Sequence, residues 1–196
     1  AGRRSAPAAL RVVVPGVAGP LETFVERLLT GLAARGVELT LLSAARPDTG
    51  WLRDHRIGWA FGPQPLAARA LVEQVRRNGP RSAAGVLAAN VRERFGGGAG
   101  GSSIPFLSGF DVLYAPWINV LTNHPHLLDA GPPVVTSCRG SLITIAPWNP
   151  DRGTLRAALP GVFASSRLVH CVSDAIASDA AGLGLDPTKA RVVRPG

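Results

Sequence analysis

The strongest constraint on the fold is an alternation. A short apolar run at residues 11–15 (Arg-Val-Val-Val-Pro) is followed by a helical pattern over 21–35 and a second apolar run at 37–43. Within the helical stretch, Leu21, Phe24, Val25, Leu28, Leu29 and Leu32 recur at three- and four-residue spacing, which places them on one face. Pro20 stands at the expected first helical position and Gly36 just past the end, the usual asymmetry of helix start and stop. The opening therefore predicts a βαβ unit with a right-handed crossover. The pattern continues with strands expected at 57–61, 111–115, 133–137, 168–172 and 191–194. Helices are expected over 65–78 and 81–95, and a helix or loop-helix over 117–130. Another helix is expected over 174–183, with Ser173 as N-cap and Gly184 as stop. Residues 154–166 read as a helix disturbed by Pro160-Gly161, and 96–103 as a Gly/Ser-rich connection. Short strands that are apolar on both faces, alternating with helices, predict a doubly wound, mostly parallel Rossmann-like α/β sheet with helices on both faces. Residues 1–10 read as a flexible tail and 11–196 as a single domain.

A chain of 196 residues with 46% hydrophobic and 17% charged residues can bury a core without staples. No apolar run approaches the ~20 residues of a membrane span. The only cysteines, Cys138 and Cys171, make neither a disulfide scaffold nor a zinc site, and buried free thiols in a reducing cytoplasm are expected. Residues 1–9 lack the apolar segment of a signal peptide. The net charge is +8, and Lys189 is the only lysine among 21 basic residues. Such a balance suits an anionic partner, whether a phosphorylated substrate, an acidic membrane or a nucleic acid.

Ligands of doubly wound sheets bind beyond the carboxyl ends of the strands, so the residues just after each strand are the candidates. After the first strand, Pro15-Gly16-Val17-Ala18-Gly19-Pro20 leads into a helix, an arrangement that can offer backbone N–H groups to an anion. It matches neither GxGxxG nor a Walker loop. Ala115-Pro116-Trp117-Ile118-Asn119 and Ser137-Cys138-Arg139-Gly140-Ser141 follow two later strands. An arginine there can fork two hydrogen bonds to a phosphate or carboxylate. His124 and His126 flank a proline with no nearby carboxylate or cysteine and read as loop residues, with no metal site expected. His170 lies inside an apolar strand and reads as a core histidine. No Gly-x-Ser-x-Gly elbow is present.

Four segments, in order, resemble family 4 glycosyltransferases. They are Val14-Pro15 with Leu21-Glu22-Thr23-Phe24-Val25 and Arg35-Gly36-Val37-Glu38-Leu39-Thr40; Asp111-Val-Leu-Tyr-Ala-Pro-Trp117; Pro133-Val-Val-Thr-Ser-Cys-Arg-Gly-Ser141; and Val172-Ser173 through Val192-Val-Arg-Pro-Gly196. The resemblance implies the amino-terminal, acceptor-side half of a retaining GT-B enzyme that ends at the interdomain hinge, with the donor-binding domain beyond Gly196. It implies no cofactor, a nucleotide sugar as donor substrate, and a sugar, lipid-linked or small-molecule acceptor. The other implied partner is a carboxy-terminal domain of the same protein, with no nucleic acid. A cytoplasmic location is expected, compatible with peripheral contact at the inner face of the membrane.

The same resemblance implies a donor-phosphate loop at Gly16, Val17, Ala18, Gly19 and Glu22. It implies an acceptor cleft at Trp117, Asn119, Arg139, Gly140, Ser141 and Ser173. Tyr114 and Pro116 stand where the family usually has histidines, and Val37 replaces the histidine of its Arg-Gly-His, so no catalytic base is assigned. The alternative is a standalone, non-enzymatic α/β module that meets an anionic partner through a basic face containing Arg76, Arg77, Arg81, Arg92 and Arg94. The missing GxGxxG argues against a nicotinamide oxidoreductase.

Overall fold

In the computed structural model, residues 9–17, 21–43, 47–61, 107 and 109–194 are described. The helices expected over 65–78 and 81–95, the connection at 96–103 and the basic set Arg76–Arg94 lie outside them, as do Ala18, Gly19 and Pro20. The described strands are β1 (Arg11–Pro15), β2 (Glu38–Ser43), β3 (Gly58–Phe61), β4 (Val112–Ala115), β5 (Val134–Cys138), β6 (Leu168–Cys171) and β7 (Ala190–Val192). They form one parallel sheet in the order β3-β2-β1-β4-β5-β6-β7. Its helices are α1 (Thr23–Ala34), α2 (Thr49–Asp54), α3 (Ile118–Asn123), α4 (Ser141–Thr144), α5 (Gly153–Ser165) and α6 (Asp174–Gly182).

Neighbouring residues along each strand serve opposite cores. Val12, Val14, Leu39, Leu41 and Tyr114 pack with Val25 and Leu29 of α1 and with Leu52 of α2. Val13, Leu42, Leu113, Ala115, Cys138 and Cys171 face the other layer, which is built by α3, α5 and α6. This two-residue alternation in strands with no polar face is why the sheet is covered on both sides. Cys138 and Cys171 are register partners on β5 and β6, buried and free. Contact with Cys171 and burial push the Cys138 thiol well above the ordinary range.

Helix starts and stops follow local chemistry. The Ser173 hydroxyl accepts from the Ile176 N–H at 3.2 Å and caps α6, and Gly184 follows its end. Helix α1 begins at Thr23, with Glu22 at the N-cap. Helix α2, capped by the Asp48 carboxylate on Gly50 N–H at 2.7 Å, escaped sequence reading because six residues carry too little periodicity.

Three expectations need correction. Helix α1 begins at Thr23, after the start expected at Pro20, because the chain is still extended at Glu22. The stretch around Pro160 is not disturbed: α5 runs through it as one helix. Leu155, Leu159, Val162 and Phe163 recur at helical spacing and are buried, and their packing outweighs the hydrogen bond that the proline removes. The last strand ends at Val192, short of Arg194.

The sequence of strands reverses direction across the sheet at β1, which lies between β2 and β4. The carboxyl ends of β1 and β4 flank this switch. Gly16, at the end of β1, has φ +80°, and its amide donates to the Leu42 carbonyl at 2.9 Å. A Cβ added there would lie 2.3 Å from Val120 Cγ2 of α3. A glycine is thus required twice over, by conformation and by space.

Gly16→Ala should destabilise the protein by about 2–4 kcal/mol through combined strain and overpacking. Denaturant unfolding checks this, and Val120→Ala in the same chain should recover part of the loss. Pro160→Ala should instead stabilise α5 by about 1–2 kcal/mol, because it restores a helical hydrogen bond against a smaller gain in unfolded-chain freedom. A lower melting temperature for that variant would contradict the account.

Candidate functional site

A cleft of about 750 Å³ opens above the carboxyl ends of the sheet. Helix α1 contributes Thr23, Phe24, Arg27 and Leu28, preceded by Glu22; Arg139 follows β5 and His170 lies in β6. Val172 follows β6, and Val193 with Arg194 follow β7. Residues from both halves of the sheet therefore meet there, as the strand order dictates.

Arg139 is the centre of this arrangement. Its guanidinium carbon sits 4.0 Å from the centroid of the Phe24 ring. Phe24 in turn meets Trp117, after β4, edge to face, with centroids 6.0 Å apart and planes at 68°. The arginine is thus stacked on an aromatic wall by cation–π attraction. Its Nε is buried without a hydrogen-bond partner. Gly140, at φ +40°, turns the chain immediately after it into α4, a conformation that a side chain would strain. Arg27, three residues beyond Phe24 on α1, shares the same helix face. Glu22 is the one carboxylate lining the cleft among the described residues.

His170 proves half-buried and lines the cleft, which corrects its reading as a core residue. Its Nε2 lies 3.0 Å from the Val193 carbonyl, which can only accept, so Nε2 carries the hydrogen. Its Nδ1 then accepts from the Tyr114 and Ser137 hydroxyls, each at 3.3 Å. Both ring nitrogens are occupied, which leaves His170 holding the floor and rim of the cleft together. Burial lowers its pKa, the Val193 hydrogen bond opposes this, and the positive charge of Arg139 lowers it further.

The remaining candidates scatter. Asn119 lines a separate hollow of about 250 Å³ with Thr122, Asp151 and Arg152, and its Oδ1 is buried without a partner. Val17 is buried in the α1-side core. Gly140 and Ser141 are exposed beside Arg139, and Ser173 is occupied as the α6 cap. Phe24 and Arg27 escaped notice as site residues because periodicity alone assigns Phe24 to the core and Arg27 to solvent. Their place at the carboxyl edge of the sheet was the available signal. No cluster of three or more metal-ligating side chains occurs among the described residues. No described helix is long and apolar enough to cross a membrane.

The pH dependence of stability follows from His170. Its folded pKa lies below the unfolded value, so the unfolded chain binds more protons as pH falls through 6.5. Its contribution to stability is therefore present above the unfolded pKa and is lost on acidification. His170→Gln should flatten the fall in melting temperature between about pH 7 and 5, relative to the unaltered protein. Parallel melting curves for the two proteins across that window would contradict this.

The fold has solved counterparts. A structure titled as Anabaena Alr3699/HepE in complex with UDP matches with a TM-score of 0.55 and 15% identity over 95% of this chain and 44% of that one. Another structure of the same protein, with UDP-glucose, gives 0.55 at 14% identity, with the same shares of each chain covered. A glycosyltransferase from Rickettsia africae gives 0.54 at 11%, covering 95% of this chain and 43% of that one. The chain thus spans less than half the length of these structures. No curated protein matches it in sequence. The profile of Glycosyltransferase Family 4 matches residues 21–196, beginning just before α1 and taking in every later strand and the whole cleft. The chain belongs to Glycosyltransferase Family 4, and its sheet has the Rossmann-like architecture from which GT-B enzymes are built.

Proposed function

We propose that this chain is the acceptor-side half of a retaining glycosyltransferase that moves a sugar from a nucleotide sugar to an acceptor. The observation that carries this reading is the cleft at the switch of the parallel sheet, lined by Phe24, which Trp117 backs edge to face, and charged by Arg139, in a chain that belongs to this family. Neighbouring structures of the same fold are complexes with UDP and UDP-glucose, which supports a nucleotide-sugar donor. The donor half belongs to a second domain, and this half supplies orientation and electrostatics in the closed cleft.

The apolar lining of Phe24, Leu28 and Val172 suits the apolar face of a sugar ring, while the arginine directs its polar edge. Arg139 stays protonated and serves as a fixed positive charge, with no role as a base. His170, with both nitrogens engaged, acts as a positioning residue behind it.

The test is sugar transfer by the whole protein from a panel of radiolabelled nucleotide sugars. Turnover from at least one donor is expected, with Arg139→Ala lowering kcat/KM by about tenfold to a hundredfold, the range for loss of one hydrogen bond to a charged group. The isolated 196 residues should fold and show negligible transfer. No turnover from any donor by the whole protein, or robust turnover by the isolated chain, would overturn the reading.

A further inference from the structure

We propose that Cys138 and Cys171 form a reversible disulfide, made by a hydroperoxide, that acts as a redox latch beneath the cleft. The bond itself is independent of what the cleft binds, and only its effect on turnover rests on the transferase reading.

The two thiols end neighbouring strands, β5 and β6, as register partners on one face of the sheet. Both are buried and free. The Cys138 thiol donates a hydrogen bond to the Cys171 sulfur, which lowers the Cys171 pKa against the opposing effect of burial. The same contact keeps Cys138 protonated. The pair is therefore unequal: Cys171 is the thiolate former and attacks, and Cys138 resolves. Neighbouring strands lie about 4.8 Å apart, inside the Cα separations of about 4.4–6.8 Å that a disulfide spans. The Cβ atoms must close to about 3.5–4.5 Å, so bond formation draws the two strand ends together on that face. The cover over Cys171 is thin. The edge strand beside it, β7, has three residues, and Arg191 and Val192 are exposed. Helix α6, on the thiol side, buries only Ile176 and Ala180. Short elements of this kind open locally, which gives a water-sized oxidant entry.

In the first step the Cys171 sulfur attacks the peroxide. An S–O bond forms, the O–O bond breaks, and the leaving oxygen takes up the proton that the Cys171 thiol gave up. The Cys138 sulfur then displaces the hydroxyl of the sulfenic acid, which departs as water with the Cys138 proton. Two thiols and one hydroperoxide give one disulfide, one alcohol (water, from hydrogen peroxide) and one water. The preceding register pair, Ser137 and His170, meets on the opposite face at 3.3 Å. Arg139 and Val172, one residue beyond the thiols, line the cleft. Drawing the strand ends together on the thiol face therefore stretches the Ser137–His170 contact and shifts both lining residues.

The experiment treats the folded chain with hydrogen peroxide and reads intact mass, a peptide map and the NMR signals of the His170 ring. The chain holds no methionine, so its two cysteines are its only oxidisable sulfurs. A loss of about 2 Da is expected, from the two thiol hydrogens, with a cross-linked Cys138–Cys171 peptide and shifted His170 signals. Dithiothreitol should reverse all three. In Cys138→Ala, dimedone should trap the sulfenic acid on Cys171, whereas in Cys171→Ala the remaining thiol should stay unlabelled. An unchanged mass, oxidation only once denaturant unfolds the chain, or Cys138 labelled as readily as Cys171 would overturn the latch. The first two readings use the unaltered chain and stand even if a variant folds poorly. A disulfide that leaves the His170 signals unmoved would overturn its reach to the cleft. In the whole protein, oxidation should lower kcat/KM by about tenfold, as misplaced cleft residues do, and Cys138→Ala should abolish that loss. Turnover by the reduced protein decides the transferase reading separately.

Discussion

A parallel sheet covered on both faces must satisfy within itself any polar side chain it carries, and the rest of this structure depends on that constraint. From β1 to β6 the strands alternate apolar residues into two cores. The exceptions on the α1 side gather toward the carboxyl edge, where Tyr114, Ser137 and His170 come from three adjacent strands and satisfy one another. Ser137 and His170 are register partners, so their meeting is fixed by strand pairing alone. The network closes on the Val193 carbonyl just beyond β7. A buried polar network is tolerated only when each member has a partner, and this one does.

The same sheet order explains how distant segments come to share one cleft. Helix α1 follows β1 on one side of the switch, whereas Arg139 follows β5 on the other. The stack of Arg139 on Phe24, and of Phe24 against Trp117, spans that divide. Gly16 secures the junction beneath it, since only a residue without a side chain lets the end of β1 lie against Val120. The site is thus assembled by topology first and by side-chain chemistry second.

Much of this was legible in the sequence. Valine-rich runs, the leucine stripe of α1, the Ser173 cap and the glycine stops mark elements whose local preferences agree with the global fold. Arg139 was legible as a candidate because it directly follows a strand. His170 was not, because a histidine flanked by Val169 and Cys171 looks buried from either side, and only strand pairing reveals its hydroxyl partners. Pro160 misled for the opposite reason: its local cost is real, and the burial of Leu159 and Phe163 that overrides it is a tertiary fact. Phe24 shows the limit of periodicity, which assigns a face and says nothing of whether that face ends in core or in a cleft.

The way Arg139 is held has a consequence of its own. An arginine anchored by a carboxylate is released when that acid is protonated and loosened when salt screens the pair. Arg139 rests on the π-face of a phenylalanine, which has no proton to gain, and its own charge persists at every accessible pH. Mild acid that charges its neighbour His170 therefore adds repulsion to the arginine without removing the ring it rests on. The contact that holds this wall of the cleft has no titrating partner, unlike that of a salt-bridged site.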